Sequence, residues 1–293
     1  MSNSSYTIGQ LAQLACTWEV LARKAGNVCP GRDFPDLTVN DFLKSAAAIA
    51  PILDQAPTQP LGLTILRSIE ETRKVVNTNT NLGIVLLLAP LASVPLDEPL
   101  QPGVARVLAA TTIEDSRNVY AAIRLAKPGG LGDVKEQDVK DEPTLPLRNV
   151  MALAMDRDLI AAQYATDFAI ATAFADGLEQ GIKKAGNIER SIIEMQLYLL
   201  IRNGDDLIRR KLAERAGDYR VPALKILQLG LDTPEGRQAF RDFDTFLRSD
   251  NHARNPGTTA DMIAAMLFVA LREGRIAVDA PFACDDHPFA QRD

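Results

Sequence analysis

Four stretches of this sequence place Gly or Asn, which bare the backbone, beside a charged side chain, a combination suited to holding phosphate. The first runs from Lys24 to Asp33. Its glycines, Gly26 and Gly31, let the backbone approach a ligand, Asn27 adds an amide, and Lys24, Arg32 and Asp33 carry charge. A helix ending at Gly26 with Lys24 in solvent would explain the same letters. The second, Asn77-Thr78-Asn79-Thr80-Asn81-Leu82-Gly83, sets three amides before an apolar run. One Asn or Thr suffices as an N-cap, so the surplus points to an anion or a nucleobase edge at the helix start.

The third stretch opens with Glu114 and Asp115 and closes with Tyr120, Arg124 and the run Pro128 to Gly132. Thr111 and Glu114 have capping-box spacing, and Tyr120 and Arg124 share one helix face, so ordinary helix structure accounts for much of it. The fourth, Asn255-Pro256-Gly257-Thr258-Thr259-Ala260-Asp261, precedes the last apolar helix. Thr258 and Asp261 again match a capping box and need no other role, whereas Asn255 and Gly257 are less easily explained as structure. Beside these, Asp205 to Lys211 pairs acids with bases at four-residue spacing, as a solvated helix face does.

The elements that must position these groups are helices. Apolar residues recur at helical spacing through Ile8, Leu11, Leu14, Ala15, Val20 and Leu21, and Thr38 with Asp41 caps a helix running to about Ala50. Further helices are expected after Pro60 to about Val76, after Asn81, over Thr111 to Leu125, and over residues 150–184, 188–202, 205–216, 234–247 and 258–273. Residues 275–282 could form a short extended tail. The acidic stretch 133–146 reads as a polar connection within one large all-α domain, a helical bundle spanning 1–293 with no internal repeat.

Composition excludes several classes. Lys plus Arg number 32 against 38 Asp plus Glu, a net charge of −6, which disfavours a general nucleic-acid or anionic-membrane surface. His252 and His287 cannot supply three histidines to a metal, and Cys16, Cys29 and Cys284 show no Cys-x-x-Cys spacing. Val75 to Leu96 is uncharged but is interrupted by asparagines and by Pro90, Ser93 and Pro95, too short an apolar run for a span. With no secretory signal at the start, the cytoplasm is the expected compartment. Walker A, Gly-x-Ser-x-Gly and His-Glu-x-x-His patterns do not occur.

Taken in order, the segments from about Glu19 to Leu271 resemble the triphosphoribosyl-dephospho-CoA synthase family. Lys24 to Val28 stands at that family's Lys-Pro-Gly loop, Asn79 to Gly83 at its Asn-Thr-x-x-Gly motif, and Asn255 to Asp261 at its Asn/Ser-Pro-Gly-x-x-Ala-Asp box. That family makes the prosthetic-group precursor of citrate lyase and malonate decarboxylase, and Ala122 to Ala126 with Pro128 to Gly132 is similar to a branch of relatives outside those lyase operons. The resemblance implies an all-α enzyme that joins the triphosphoribosyl part of ATP to the 2′-hydroxyl of dephospho-CoA, releasing adenine, with Mg²⁺ at the phosphates. Carried over motif by motif, it puts Lys24, Arg124, Arg210 and Lys211 on phosphates. Asn79, Asn81 and Gly83 would hold the triphosphate or the base, and Gly26, Asn27, Asn255 and Thr258 would complete the substrate site. Asp33, Asp115 and Asp205 become candidates for catalysis, and Asp115, Asp205 and Asp261 for Mg²⁺.

The lyase-associated enzymes read Asn-Thr-His-Lys-Gly where this chain has Asn81 and Leu82, and Ala25 replaces the proline of the first loop. Two alternatives therefore stand beside the main reading. One is an enzyme acting on another nucleotide or phosphorylated intermediate in building a one-carbon carrier such as methanofuran or tetrahydromethanopterin. The other is a helical nucleotide-binding protein without catalysis. A homo-oligomer stays open. Convergence of the four stretches in one cleft would favour an enzyme, and scatter over the surface would favour simple caps.

Overall fold

The computed structural model describes residues 5–129 and 136–283. Gly130, Leu131, Gly132, the first part of the polar connection, Cys284 and His287 lie outside these. Among the described residues the chain forms fourteen α-helices and no strand. They are α1 (Ile8–Leu21), α2 (Val39–Asp54), α3 (Leu61–Val75), α4 (Leu82–Ala92), α5 (Leu100–Ala109), α6 (Ile113–Ala126) and α7 (Leu147–Ala152). After these come α8 (Leu159–Ala165), α9 (Ala169–Ala185), α10 (Ile188–Arg202), α11 (Asp206–Leu212), α12 (Arg220–Leu229), α13 (Pro234–His252) and α14 (Gly257–Arg272). None of them is long and apolar enough to cross a membrane.

Two helices form the axis of the molecule. In α4 every residue but Gly83 is buried, and α14 is buried without a break from Met262 to Leu271. A helix that is apolar all round must be wrapped by others. Here α1, α9 and α4 lie against α14, while α3 and α5 flank α4. The uncharged stretch Val75 to Leu96 is therefore a core helix with its approach. A second, smaller apolar cluster joins α10, α11, α12 and α13 through Leu197, Ile208, Ala223, Ile226, Phe240 and Phe243.

Local signals account for many of the boundaries. Thr7 with Gln10, and Thr38 with Asp41, close capping boxes at α1 and α2. At α6 the box closes one residue later than the spacing suggested: Thr112 and Asp115 form it, not Thr111 and Glu114. The long helix expected over 150–184 is three, because Asp158 caps α8 and because Asp167 and Phe168 adopt left-handed conformations before α9. The helix expected over 205–216 is α-helical only to Leu212 and continues as a 3₁₀ turn, while α5 and α12 were not foreseen. The tail forms no strand; instead the carbonyls of Pro281 and Phe282 accept the N–H groups of Ile188 and Glu189 at the start of α10.

Candidate functional site

A cavity of about 470 Å³ lies where α1, α4, α11 and α14 meet. That is within the range of pockets that enclose small-molecule ligands. All four polar stretches reach it. The first contributes Asn27 and Val28, with Phe34 and Asp36 just beyond it, the second Thr78 to Gly83, the third Lys127, Pro128 and Gly129, and the fourth Asn255, Gly257, Thr258 and Asp261. Arg210 and Lys211 of α11 also line it. The starts of α4 and α14, with their positive dipole ends, open onto the same space.

Lys24, Gly26, Asp33, Asp115, Arg124 and Asp205 are not on the cavity wall. Lys24 is 0% exposed, with its ammonium 2.9 Å from Glu19 Oε1, so it is neither a solvated lysine beyond a helix end nor a free phosphate ligand. The Gly26 N–H donates to Asp244 Oδ1 at 2.8 Å, which locks the first loop onto α13. Asn27 faces the cavity but gives its amide N–H groups to Asn255 Oδ1 and the Pro256 carbonyl, and its oxygen accepts from Gln196. The first and fourth stretches are thereby tied together. Arg124 is exposed and donates to the Val139 carbonyl at 2.6 Å, and Asp33 accepts the Val39 N–H at the start of α2.

Asp115 has both carboxylate oxygens engaged. Oδ2 accepts from the Thr112 N–H and hydroxyl, each at 2.8 Å, and Oδ1 accepts from the Gly62 N–H at 2.8 Å. A Cβ on Gly62 would strike the Asp115 backbone, so the glycine is what lets α3 approach α6 this closely. Asp205, 1% exposed, is also committed: Oδ1 accepts from Ile208 N, while Oδ2 accepts from the Thr259 N–H at 2.7 Å and hydroxyl at 2.8 Å. One carboxylate thus caps α11 and α14 together. Burial raises its pKa, and these hydrogen bonds oppose the rise. The geometry gives Asp115 and Asp205 structural partners in full and leaves neither facing the cavity.

Asp261 is the opposite case. Because α14 begins at Gly257 and Asp205 caps it, the expected box between Thr258 and Asp261 does not form. Asp261 instead lines the cavity with no hydrogen bond or ion pair among the described residues. Its carboxyl lies against the Cα of Gly83, where any Cβ would collide with Oδ2. Burial, then the negative charges of Glu19, Asp205 and Asp158, push its pKa well above the ordinary carboxylate range, against the pull of Arg210.

The remaining wall is polarised. Arg210 pairs with Asp158 at 3.1 Å, and Lys211 forms no ion pair among the described residues. Burial lowers the Lys211 pKa, with Arg210 adding to the effect. His252 stacks on Phe34 with ring centroids 3.9 Å apart, and its buried Nδ1 has no protein partner. Burial and then Arg248 lower its pKa, so the imidazole is neutral near pH 7. Asp250, Asn251 and His252 all have positive φ at this rim. Asn79 Oδ1 accepts the Leu82 N–H at the start of α4.

Glu19, Asp36, Phe34, Asp158 and His252 were not singled out from the sequence. Glu19 carried a readable signal, since it falls on the stripe of Ile8, Leu11, Ala12, Ala15 and Cys16 that α1 buries, where a charge needs a partner. Among the described residues no three His, Cys, Asp or Glu side chains are arranged to hold a metal by themselves. An unpartnered Asp261 crowded by Glu19 and Asp158 nevertheless suits Mg²⁺, which takes one or two carboxylates together with substrate phosphate oxygens.

Comparison with known proteins gives three findings. A crystal structure from Archaeoglobus fulgidus, provisionally described as a triphosphoribosyl-dephospho-CoA synthase, is 28% identical with a TM-score of 0.63, covering 79% of this chain and 99% of that one. No curated protein matches the sequence. The family described as CitG, ATP:dephospho-CoA triphosphoribosyl transferase, matches residues 5–278, and the chain belongs to that family of transferases.

Proposed function

We propose that the chain transfers the triphosphoribosyl group of ATP to the 2′-hydroxyl of dephospho-CoA, with adenine as the leaving group. The observation that carries this reading is the meeting of all four polar stretches at one cavity that has two helix starts and the side chains of Lys127, Arg210 and Lys211 on its wall. The phosphates of ATP would lie against Arg210, Lys211 and the positive dipole ends of α4 and α14, where the Gly83, Ile84 and Thr258 N–H groups are not taken by side chains. Asn27, Asn255 and Thr258 shape the wall beside them. Asp261, with Asp158, would hold Mg²⁺, which when bound neutralises phosphate charge. The stacked Phe34 and His252 offer an aromatic surface for a base.

The displacement breaks the bond between the anomeric carbon and adenine N9, forms one to the acceptor oxygen, and builds positive charge on the ribose in passing. Carboxylates on the cavity wall stabilise that charge. ATP as donor, and the buried free thiols of Cys16 and Cys29, accord with a cytoplasmic location.

The test is release of adenine from ATP with dephospho-CoA and Mg²⁺, followed by chromatography. A product retaining the triphosphate is expected, and absence of adenine and product would overturn the proposal. Asn81 and Leu82 in place of His and Lys favour a second reading, transfer to another phosphorylated acceptor. Adenine release that requires such an acceptor and ignores dephospho-CoA would establish it.

A further inference from the structure

At the start of α4, Asn81 is only 4% exposed yet lines the cavity, and its side-chain oxygen has no protein partner. A buried amide oxygen without a partner is uncommon, because leaving one unsatisfied is unfavourable. The orientation of this amide is fixed by its neighbour. The Thr72 hydroxyl has one proton, which it donates to the Ser68 carbonyl at 2.9 Å. Toward Asn81 it can therefore only accept, and it takes the Asn81 Nδ2 proton at 3.0 Å. Rotating the amide would set its oxygen against a hydroxyl with no proton left. The backbone oxygen of Asn81 is occupied as well, accepting from Val85 at 2.8 Å. The buried oxygen is thus an obligatory acceptor on a residue of the cavity wall.

An acceptor oxygen does not pair with a phosphate oxygen, so Asn81 Oδ1 calls for a donor, although it sits at a helix start. We propose that Asn81 Oδ1 is a specificity-determining contact that receives a hydrogen bond from an O–H or N–H of the bound nucleotide. This rests on ATP being the donor substrate. A nucleoside triphosphate has two sources of such a proton, the ribose hydroxyls and the exocyclic amine of adenine. The Leu82 N–H is taken by Asn79 Oδ1, and those of Gly83 and Ile84 in the same turn remain available for anionic oxygens. One helix start would then read a neutral donor through its cap and a charge through its backbone.

Binding to the full chain with Mg²⁺, measured by calorimetry, distinguishes the sources with four probes: ATP, 2′-deoxy-ATP, 3′-deoxy-ATP and purine riboside triphosphate, which lacks the 6-amino group. At least one analogue should bind about tenfold to a hundredfold more weakly than ATP. In Asn81→Leu, ATP should fall to the affinity of that analogue and the difference between them should vanish. Thr72→Val, which frees the amide to rotate, should shrink the same difference while leaving the cavity wall in place. If Asn81→Leu does not fold, the wild-type series with Thr72→Val decides. Equal binding of all four probes by the wild type overturns the inference, as does discrimination that persists in Asn81→Leu or, where that variant does not fold, in Thr72→Val. In those cases continued adenine release leaves the proposed function standing. Failure of ATP itself to bind would overturn both.

Discussion

At the start of α6, Thr111 and Thr112 precede an acid that caps the helix and clamps it to α3; at the start of α14, Thr258 and Thr259 precede an acid left free in the cavity. Each acid faces a glycine on a neighbouring helix, Gly62 for Asp115 and Gly83 for Asp261. In the first pair the glycine N–H donates to the carboxylate, and in the second no hydrogen bond joins them. What separates the two is Asp205. By supplying the acceptor that the first turn of α14 needs, it releases Asp261 from capping. A carboxylate can therefore be left unpaired at a helix start when another carboxylate, from a different helix, performs the structural task.

The sharpest test of this contrast exchanges acid for amide or alanine at each site. Asp261→Asn should lower kcat about 10²–10³-fold with melting temperature unchanged or raised. Asp115→Ala should do the reverse, costing about 2–3 kcal/mol of stability through the stranded Gly62 and Thr112 N–H groups, with near-normal kcat per folded molecule in chemical denaturation and activity assays. Loss of turnover in folded Asp115→Ala would break the comparison.

Alanine at the two glycines gives the next largest effects. Gly62→Ala meets backbone and should destabilise by about 1–3 kcal/mol. Gly83→Ala meets the end of a side chain, so its stability should change less while activity falls as Asp261 is displaced. Smaller still, Thr112→Ala should cost about 1 kcal/mol as a lost cap, and Thr258→Ala less than about 0.5 kcal/mol. Equal losses at both threonines would mean that Thr258 caps α14 after all.

The smallest effect is in the pH dependence. Asp261 has a folded pKa above its unfolded one, so its protonated form favours the folded state fully only below the ordinary carboxylate pKa, and that contribution fades as pH rises through the folded value. Without Mg²⁺, the melting temperature of Asp261→Asn should therefore gain on that of wild type as pH is raised from 4 toward 8. A constant difference would contradict the shift.

These same residues show how far the sequence could be read. The all-α fold and the starts of α1 to α4 were legible because apolar spacing, the Thr38 cap and the proline before α3 agree with one another, whereas α2 runs on to Asp54, past the expected end near Ala50. Residues 111–115 and 258–261 were harder. Doubled threonines make two capping registers equally plausible by spacing at 111–115, and at 258–261 the one register that spacing offers is set aside; the choice is made by tertiary partners, Gly62 in one case and Asp205 in the other. The convergence of the polar stretches depends on packing between helices far apart in sequence, which spacing does not contain. Lys24 shows the same limit, since its burial against Glu19 follows from how the loop after α1 folds back.

The packing of α1 against α14 bears on how the protein is made. The cavity wall draws on residues from Glu19 to Asp261, so the earliest and latest helices must meet before it exists. A growing chain would hold the stripe of α1, including Trp18 and Cys16, without its final partner until α14 is made. Formation of the site is then a late event governed by long-range contact, and a ribosome-bound chain halted before α14 should be exposed to aggregation through that stripe.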